Sequence, residues 1–491
     1  MNGLKERMAV SRGEKKAGLV LKNGQLINVF SGEIYPADVA IHKERIAGVG
    51  DYSGEEEIDL NGRYVAPGFI DGHVHIESSL LTPPELAHAV VPHGTTTVIA
   101  GPHEIVNIMG EDGFKYIREV SAKLPLDIHF SVSDELLFAH EATTAGEAKN
   151  KLRSGSQVLV REGSSAKNME AIIPLIDQVN QSFFCFCTDD IYPADLEAGH
   201  LNEILKKAVS YNFDPMTAIR MVTINPARFY GLTAYGVVAP GYFADINVLS
   251  NLEDFGVDMV FKRGKKVAAK GRALFEVKVK KNKAVRETMH VKPFEVDELQ
   301  VTAKSDYAKA IEIIPGQTVT KAIVAVVKKK DKLLVSDPGS DILKVAVVER
   351  HRSSGRIGIG LVKGFGLKKG AIATSFAHNA HNIVCVGVDD EDMISAIRRV
   401  ERLGGGKVVV SGGLVLGELP LPIAGLMSDK PLIQVAVEQK KIDKVCADFG
   451  SKIDHPFGAL SFLTLADIPE LKITANGLMD VNKRKIVDLF E

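Results

Sequence analysis

The fold of this chain is decided by the stretch around its first histidine pair, which reads Val65-Ala66-Pro67-Gly68-Phe69-Ile70-Asp71-Gly72-His73-Val74-His75-Ile76-Glu77-Ser78-Ser79. An apolar run leads into two histidines that are one residue apart, His73 and His75. Residues i and i+2 of a β-strand point to the same face, so the two imidazoles can stand side by side. Two neutral imidazoles that close suit a divalent metal ion better than they suit each other. A pair of ordinary polar residues at a strand end is the alternative, and the preceding Pro-Gly-Phe-Ile-Asp-Gly favours the metal site.

The composition of the whole chain is that of an ordinary globular protein with about three domains. Its 491 residues are 45% hydrophobic and 25% charged, and the formal net charge of −2 gives no reason to expect a nucleic acid as partner. No apolar run reaches the roughly 18 residues of a membrane span, and the polar start of the chain does not resemble a signal peptide. The four cysteines form no C-x-x-C pair, which indicates buried thiols in a reducing compartment. We therefore expect a cytoplasmic protein with no membrane partner.

Two distant segments, 17–65 and 236–285, have the pattern of one small β-domain. The first reads as a β-meander, in which Asn23-Gly24 stands between apolar stretches and predicts a hairpin turn. Such a sheet is too small to stand alone and needs a partner, which the strand-like stretches 241–249 and 257–265 can supply. The predicted fold class is α/β, with a small β-sandwich domain formed by both flanks of an inserted barrel.

The inserted segment, residues 66–235, alternates apolar strands with helical stretches such as 168–180, which is the signature of βαβ units. The pattern predicts a (β/α) barrel, whose reactive groups lie at the C-terminal ends of the strands. Eight βα units take about 250 residues, so the first and eighth strand ends should be roughly 220 residues apart. Only 114 residues separate His75 from Asp189. With about six recognisable strands, the predicted barrel is shortened.

Residues 306–491 read as a separate C-terminal α/β domain, with apolar strands and a helix at 391–403. A polar loop in this domain carries two histidines three residues apart, His378 and His381. These histidines could reach a neighbouring site or merely hold the loop, and the sequence leaves both interpretations open.

Further polar residues stand where predicted barrel strands end. The apolar strand 183–187 runs into Asp189 and Asp190, and a carboxylate there can bind a metal ion or take a proton from a metal-bound water. The alternative for Asp189 is an N-cap of the next helix, and Asp190 could serve either purpose. The pairs His103-Glu104 and His140-Glu141 also follow apolar segments, and each could be a set of ligands or a surface turn. Neither pair is a zinc-protease helix, because the second histidine of that motif is missing.

Taken together, these residues resemble the amidohydrolase superfamily of metal-dependent hydrolases and, more narrowly, the bacterial and archaeal adenine deaminase family. The resemblance covers nearly the whole chain and rests on the stretches 66–79, 93–97, 102–105, 161–164, 186–190, 376–382 and 460–463. It implies an amidohydrolase-type barrel followed by an adenine-deaminase-type C-terminal domain. It also implies hydrolysis of adenine to hypoxanthine and ammonia in purine salvage, at a binuclear Mn²⁺ or Fe²⁺ centre. We expect the small molecule adenine as substrate and a homo-oligomer, a homodimer, as the assembly.

The resemblance also assigns roles to individual residues. His73 and His75 match the metal ligands of the first strand, and His140 looks like the histidine of a later strand. Asp189 matches the aspartate of the last strand, which binds metal and shuttles the proton. Catalytic roles are expected for Asp189, His140 and Glu141. Weaker contacts with the substrate are expected from four other residues, His103, Glu104, Glu162 and Asp190.

The chain departs from the family pattern between its third and sixth strands. The family places there a bridging glutamate in a Gly-Glu-Met-like stretch and a further histidine in a Gly-His-Ala-Pro-like stretch, and neither is present. Gly101 also stands where the family usually has an aspartate. Two alternatives to adenine deamination therefore stay open. One is a catalytically impaired family member with a broken binuclear site, and the other is a superfamily hydrolase that acts on another purine or a cyclic amide.

Overall fold

The computed structural model describes residues 2–131, 138–139, 142–164, 166–277 and 282–490. The chain forms two compact units. The first comprises Met1–Ile76, Pro83–Gly101 and Ser121–Val279, and the second comprises Glu77–Thr82, Pro102–Val120 and Lys280–Glu491. In these described ranges, no helix combines the length and the apolar character that crossing a membrane requires.

The first unit begins with a helix and a five-stranded segment: α1 Asn2–Ser11, β1 Ala17–Asn28, β2 Glu33–His42, β3 Arg45–Gly50, β4 Gly54–Asp59 and β5 Tyr64–Pro67. β1 pairs antiparallel with β2, and β2 with β3, while β4 and β5 both pair with β1 in parallel. β1 is therefore the strand around which this part of the sheet is assembled.

The hairpin predicted at Asn23-Gly24 is wrong, because β1 continues through these two residues. Asn23 takes the left-handed conformation with φ 56°, and the register of the pairing with β2 shifts between Leu21 and Gly24. The two residues thus form a bulge within one strand. A Cβ atom on Gly24 would lie 2.6 Å from Cγ2 of Val65, so glycine is needed for close packing and not for a turn.

The barrel region follows with six described strands, β6 Phe69–Val74, β7 Thr95–Ala100, β8 Asp127–Phe130, β9 Phe138–Ala139, β10 Gln157–Arg161 and β11 Phe184–Cys187. They form two parallel three-stranded sheets, β6-β7-β8 and β11-β10-β9. A single bridge between Val74 and Asp189 connects the ends of β6 and β11. Parallel strands with helical connections are the pattern that the sequence predicted for this region.

The helices of this region are short: α2 Pro83–Val90, α3 His103–Met109, α4 Glu111–Ser121, α5 Ala145–Arg153, α6 Met169–Ile172, α7 Pro193–Leu196, α8 Leu201–Ser210, α9 Pro215–Met221 and α10 Ile224–Phe229. The helix predicted over 168–180 ends as an α-helix at Ile172 and continues only as a 3₁₀ turn, Ile173–Leu175. Pro174 explains the difference, because proline has no backbone N–H to continue the α-helical hydrogen bonding.

The chain then returns to the first sheet with β12 Ile246–Leu249, β13 Val257–Lys262, β14 Lys265–Ala269 and β15 Arg272–Ala273. β12 pairs antiparallel with β5, which gives a nine-stranded sheet of order β15-β14-β13-β12-β5-β1-β2-β3, with β4 beside β1. Apolar residues from both flanks share one core, among them Leu21, Val65, Ile246 and Phe261. The two flanks of the barrel region are thus joined in one sheet.

The second unit contains the remaining strands, β16 Tyr307–Ile313, β17 Thr320–Val326, β18 Lys328–Lys330, β19 Leu333–Val335, β20 Ile342–Val348, β21 Ile357–Lys363, β22 Ala371–Thr374, β23 Ile383–Gly387, β24 Gly406–Ser411, β25 Leu414–Pro420, β26 Leu471–Thr474, β27 Gly477–Asp480 and β28 Lys485–Val487. Its C-terminal part contains the helices α11 Asp390–Arg402, α12 Leu432–Asp448 and α13 Pro456–Phe462, and α3 and nearly all of α4 also belong to this unit. Eight strands form one sheet of order β17-β16-β21-β20-β23-β22-β24-β25.

Helix α11 packs on strands β23, β22 and β24 of this eight-stranded sheet. The Asp389 side chain accepts a hydrogen bond from the Asp392 amide and so caps the helix. Met393, Ile397 and Val400 recur at helical spacing and pack on strand residues in one buried cluster. The α/β domain predicted from the sequence therefore has a sheet with a helix packed on it.

All four cysteines of the chain are buried and free of disulfide bonds: Cys185, Cys187, Cys385 and Cys446. Burial raises the pKa of Cys185 to about 12, so this thiol stays protonated and unreactive at neutral pH. The prediction of buried thiols is confirmed.

Candidate metal centre

Strands β6 and β11 bring His73, His75 and Asp189 together at their C-terminal ends. The His75 amide donates to the Asp189 carbonyl at 3.0 Å, and the Asp189 amide donates to the His73 carbonyl at 2.9 Å. These two backbone hydrogen bonds fix the register between segments that are more than a hundred residues apart in sequence. The sequence predicted each half of this arrangement, and the pairing of the strands joins them.

The three side chains converge on a small volume. Nε2 of His73 lies 3.3 Å from Nε2 of His75, and Oδ1 of Asp189 lies 3.6 Å and 3.3 Å from these two nitrogens. The potential ligand atoms all lie within 4.8 Å of one another. Two imidazoles and a carboxylate form a donor set for a divalent transition-metal ion, and the catalytic type of site adds water as a further ligand. The residues therefore fit one metal ion.

Asp189 is held in its place by backbone conformation and by an ion pair. Its φ of 58° lies in the left-handed region, which an aspartate tolerates better than most residues. Nη1 of Arg161 donates to Oδ2 at 3.0 Å, and both side chains are about 5% exposed. The arginine charge favours the ionised carboxylate and leaves Oδ1 facing the histidines. Because the next helix begins at Pro193, Asp189 is not its N-cap, and the alternative interpretation is wrong.

A second buried carboxylate, Asp71, ties the two ligand-bearing segments to each other. Oδ1 accepts hydrogen bonds from the amides of His73 and Thr188, both at 3.2 Å, and Oδ2 accepts one from the Thr188 hydroxyl at 2.5 Å. Nε2 of His200 lies 3.3 Å from the same Oδ2. Burial raises the pKa of Asp71 to about 7, and burial lowers the pKa of His200 to about 3. His200 is therefore a neutral imidazole at this position.

Replacing Thr188 by valine is expected to lower the free energy of unfolding by about 1–3 kcal/mol, the cost of leaving a buried acceptor without its donor. Valine keeps the shape of threonine and removes only the hydroxyl that donates to Asp71. Chemical denaturation of both proteins measures the difference. The control is Thr188→Ser, which keeps the hydroxyl and should lose much less. Equal losses in the two variants would assign the effect to packing.

Of the other residues expected at the site, Asp190 adjoins it, others bind side chains of their own, and two lie outside the described part of the chain. Glu162 accepts a hydrogen bond from Nζ of Lys207 and another from the Met169 amide. Asp190 is half-buried next to Asp189. Glu104 contacts His378 and His381, all three in the second unit. His103 is the first residue of helix α3 in the same unit. His140 and Glu141 lie outside the described residues.

Three residues around the metal ligands were given no role by the sequence analysis. Arg161 was passed over in favour of its neighbour Glu162, although a cation at the end of the apolar stretch 157–160 is a signal for a buried ion pair. No local pattern reveals the contact of His200 with Asp71, which lies 129 residues away in the sequence. Thr188 was read only as part of the strand end.

Comparison with protein families matches both parts of the chain. The amidohydrolase family matches residues 64–159 and 135–267, and the adenine deaminase C-terminal domain matches residues 317–485. The two amidohydrolase segments overlap at residues 135–159.

Relatives with known names match over the full length. Adenine deaminase 2 of Carboxydothermus hydrogenoformans and adenine deaminase of Desulfatibacillum aliphaticivorans are each 39% identical to this chain, with 99% of both sequences covered. Each of these alignments runs over 566 positions, 75 more than the 491 residues of this chain. A solved beta-aspartyl dipeptidase of Fervidobacterium islandicum AW-1 is 15% identical and covers 52% of this chain and 99% of its own, with a TM-score of 0.40.

Proposed function

The chain belongs to the adenine deaminase family, and from this premise we propose that it hydrolyses adenine to hypoxanthine and ammonia in purine salvage. The observation that carries the proposal is the convergence of His73, His75 and Asp189 at the ends of two neighbouring barrel strands. In the reaction the oxygen of water forms a bond to C6 of adenine, and the bond from C6 to the amino nitrogen breaks. One hydrogen of water passes to the amino group, which leaves as ammonia, and the other passes to N1 of the purine, which gives hypoxanthine.

Each residue in and around the cluster has its own role in that reaction. His73, His75 and Asp189 would hold the ion, which supplies the acidity that lets water react near neutral pH. Asp189 takes a proton from the attacking water at Oδ1 and returns it to the departing amino group. Arg161 holds the other oxygen of that carboxylate at 3.0 Å, so Asp189 cannot turn away from the histidines. Asp71 keeps the amides of His73 and Thr188 in register.

We further propose that the centre is binuclear, with Mn²⁺ or Fe²⁺ as the metal and His140 as an additional ligand. Three donors suit one ion, so a second ion needs ligands beyond the described cluster. Of the four expected substrate contacts, we retain Asp190, because it is half-buried and adjoins Asp189. Glu162 already binds the side chain of Lys207. Glu104 already binds the side chains of His378 and His381.

Incubation of the Mn²⁺-loaded protein with adenine is expected to release ammonia and hypoxanthine in equal amounts. Ammonia is measured by a coupled assay and hypoxanthine by chromatography. Removal of the metal with a chelator should stop the reaction, and adding Mn²⁺ back should restore it. Guanine and a cyclic amide such as dihydroorotate, tested in parallel, identify a hydrolase with another substrate. Absence of adenine turnover with Mn²⁺, Fe²⁺ and Zn²⁺ would contradict the proposal.

The second candidate function is that of an impaired family member with a shortened barrel. The alignments with the relatives are 75 positions longer than this chain, the amidohydrolase family matches in two overlapping segments and not in one, and six barrel strands are described. A missing βα segment between β8 and β9 would remove ligands and leave sheet edges uncovered. Metal analysis separates the two candidates. The metal content of the wild type is compared with that of a variant in which His73 and His75 are both replaced. If the variant has lost two tightly bound ions per chain, the binuclear site is intact, and if it has lost fewer, the site is impaired.

We also propose a homodimer in the cytoplasm. Exposed apolar side chains at the edge strand β25 and on helix α12 support an interface there. Their exposed fractions are 67% for Leu414, 43% for Val415, 61% for Ile433 and 58% for Val437. Surfaces of this kind often mark protein–protein contacts. Light scattering of the purified protein gives the mass of the assembly and tests this proposal.

A further inference from the structure

A second group of potential metal ligands lies entirely within the second unit. It consists of Glu104, His378 and His381, which we call the Glu104 cluster. Their exposed fractions are 2%, 6% and 0%, and their potential ligand atoms lie within 4.8 Å of one another. A carboxylate buried this completely needs a compensating positive charge or several hydrogen bonds.

The cluster is assembled from two segments that are far apart in sequence. Glu104 stands in the first turn of α3, and the histidines lie in the connection between β22 and β23. Nδ1 of His378 lies 3.1 Å from Oε1 of Glu104, across 274 residues of sequence. Nε2 of His381 contacts the other carboxylate oxygen, Oε2, across 277 residues. Each histidine thus faces its own oxygen of the same carboxylate.

The two imidazole rings are held in fixed orientations. The ring of His378 stacks on Phe462 with a centroid distance of 5.4 Å and an interplanar angle of 8°. Phe376 contacts the same ring edge-on at 4.9 Å and lies 5.4 Å from the ring of His381. Apolar walls around a set of polar ligands lower the local dielectric constant and strengthen the attraction between the carboxylate and a cation.

We propose that the Glu104 cluster binds a divalent transition-metal ion, using no residue of the centre formed by His73, His75 and Asp189. Two imidazoles and one carboxylate are the donors that Zn²⁺, Fe²⁺ and Mn²⁺ share. The ion replaces protons that the histidines otherwise donate to Glu104, as is general for metal binding to histidine. Because it joins α3 to the β22–β23 connection, it stabilises the second unit.

The competing arrangement is a hydrogen-bonded trio without metal. Nδ1 of His381 accepts a hydrogen bond from the Ala377 amide at 3.2 Å, which places the ring proton on Nε2, toward Glu104. Metal binding at Nε2 moves that proton to Nδ1 and gives up the bond to Ala377. The move replaces one neutral hydrogen bond by two N–H donors that face each other, a cost that the bonds from three ligands to an ion exceed. The two arrangements differ in metal content, so a measurement separates them.

Metal analysis of the full-length protein tests the proposal. Each protein is stripped with a chelator, reloaded with Zn²⁺, dialysed and analysed for zinc per chain. We expect Glu104→Gln and His381→Asn to contain one equivalent less than the wild type. The matched control is His290→Asn, which replaces an exposed histidine of the same unit and should keep the wild-type content. Unchanged zinc content in both cluster variants would overturn the proposal and leave the hydrogen-bonded trio.

A second measurement does not depend on the folding of the cluster variants. The double variant His73→Ala, His75→Ala keeps the Glu104 cluster and is expected to bind one equivalent of Zn²⁺. Zinc at 100 times its dissociation constant should raise the melting temperature of this variant by roughly 5–10 °C. A double variant that binds no zinc and shows no shift would overturn the proposal. Neither readout uses adenine turnover, so the result is independent of the proposed activity.

Discussion

Replacing Asp189 by asparagine is expected to lower kcat/KM for adenine deamination by about 10²–10⁴, the usual contribution of a positioned acid–base group. Asparagine keeps the size of the side chain and can still face His73 and His75, but it cannot accept the proton from water. It also loses the ion pair with Arg161, which holds Oδ2 at 3.0 Å in the native protein. The measurement is steady-state kinetics with Mn²⁺ in excess, together with metal content, so that the loss of proton transfer is separated from the loss of the ion.

The control for this prediction is Asp254→Asn, which removes an exposed carboxylate of the same unit and should change kcat/KM by less than about twofold, as surface substitutions do. If the Asp189 variant keeps its metal and its turnover, another group must act as the base. Adding Arg161→Met to the Asp189 variant gives a useful second comparison. Because the arginine acts through Asp189, its replacement should cost little more activity once Asp189 is asparagine.

Replacing Arg350 by methionine is expected to lower the free energy of unfolding by about 3 kcal/mol. Arg350 is fully buried in the second unit, and its guanidinium donates to three backbone carbonyls. These belong to His381, to Thr288 at 3.2 Å and to Ala424 at 3.0 Å. Burial lowers the pKa of Arg350 to about 9, so the group is still charged at neutral pH. Methionine fills most of the space but leaves three carbonyl oxygens without a donor.

Two opposing effects set the size of that loss. Each buried carbonyl without a donor costs about 1–3 kcal/mol, while removal of a buried charge returns part of its desolvation energy. Chemical denaturation gives the net value, and the exposed Arg352 supplies the control, because Arg352→Met should change stability by less than about 0.5 kcal/mol. A variant as stable as the wild type would mean that the carbonyls find water or that the buried charge costs as much as its hydrogen bonds contribute.

Local pattern alone predicted a large part of this molecule. Apolar runs indicated strands that lead into the histidine pair and into Asp189. Because side-chain direction repeats every two residues along a strand, His73 and His75 were expected on one face. The absence of a C-x-x-C pair indicated buried thiols, and the quoted stretches indicated the family. The local pattern gave a wrong prediction where the same short sequence occurs in two kinds of backbone structure. Asn23-Gly24 is a turn sequence in many hairpins but forms a bulge here, because Val65 packs against it.

The site itself was predicted only in part. His73, His75 and Asp189 could be named as ligands from the ends of apolar strands. Their partners could not, because an ion pair such as Arg161 with Asp189 depends on which strands are neighbours. The sequence also assigned Glu104 to the substrate, whereas its carboxylate faces two histidines of the second unit.

The sequence by itself indicated most of the elements, the family and three candidate metal ligands, since these depend on side chains a few residues apart. Only the tertiary structure decided that β6 lies beside β11, that Asp71 meets Thr188 and His200, and that Glu104 meets His378 and His381. These contacts join residues separated by 117, 129, 274 and 277 positions. No local periodicity specifies such pairs. They follow from the order in which strands pair and from the cost of leaving a buried polar group without a partner.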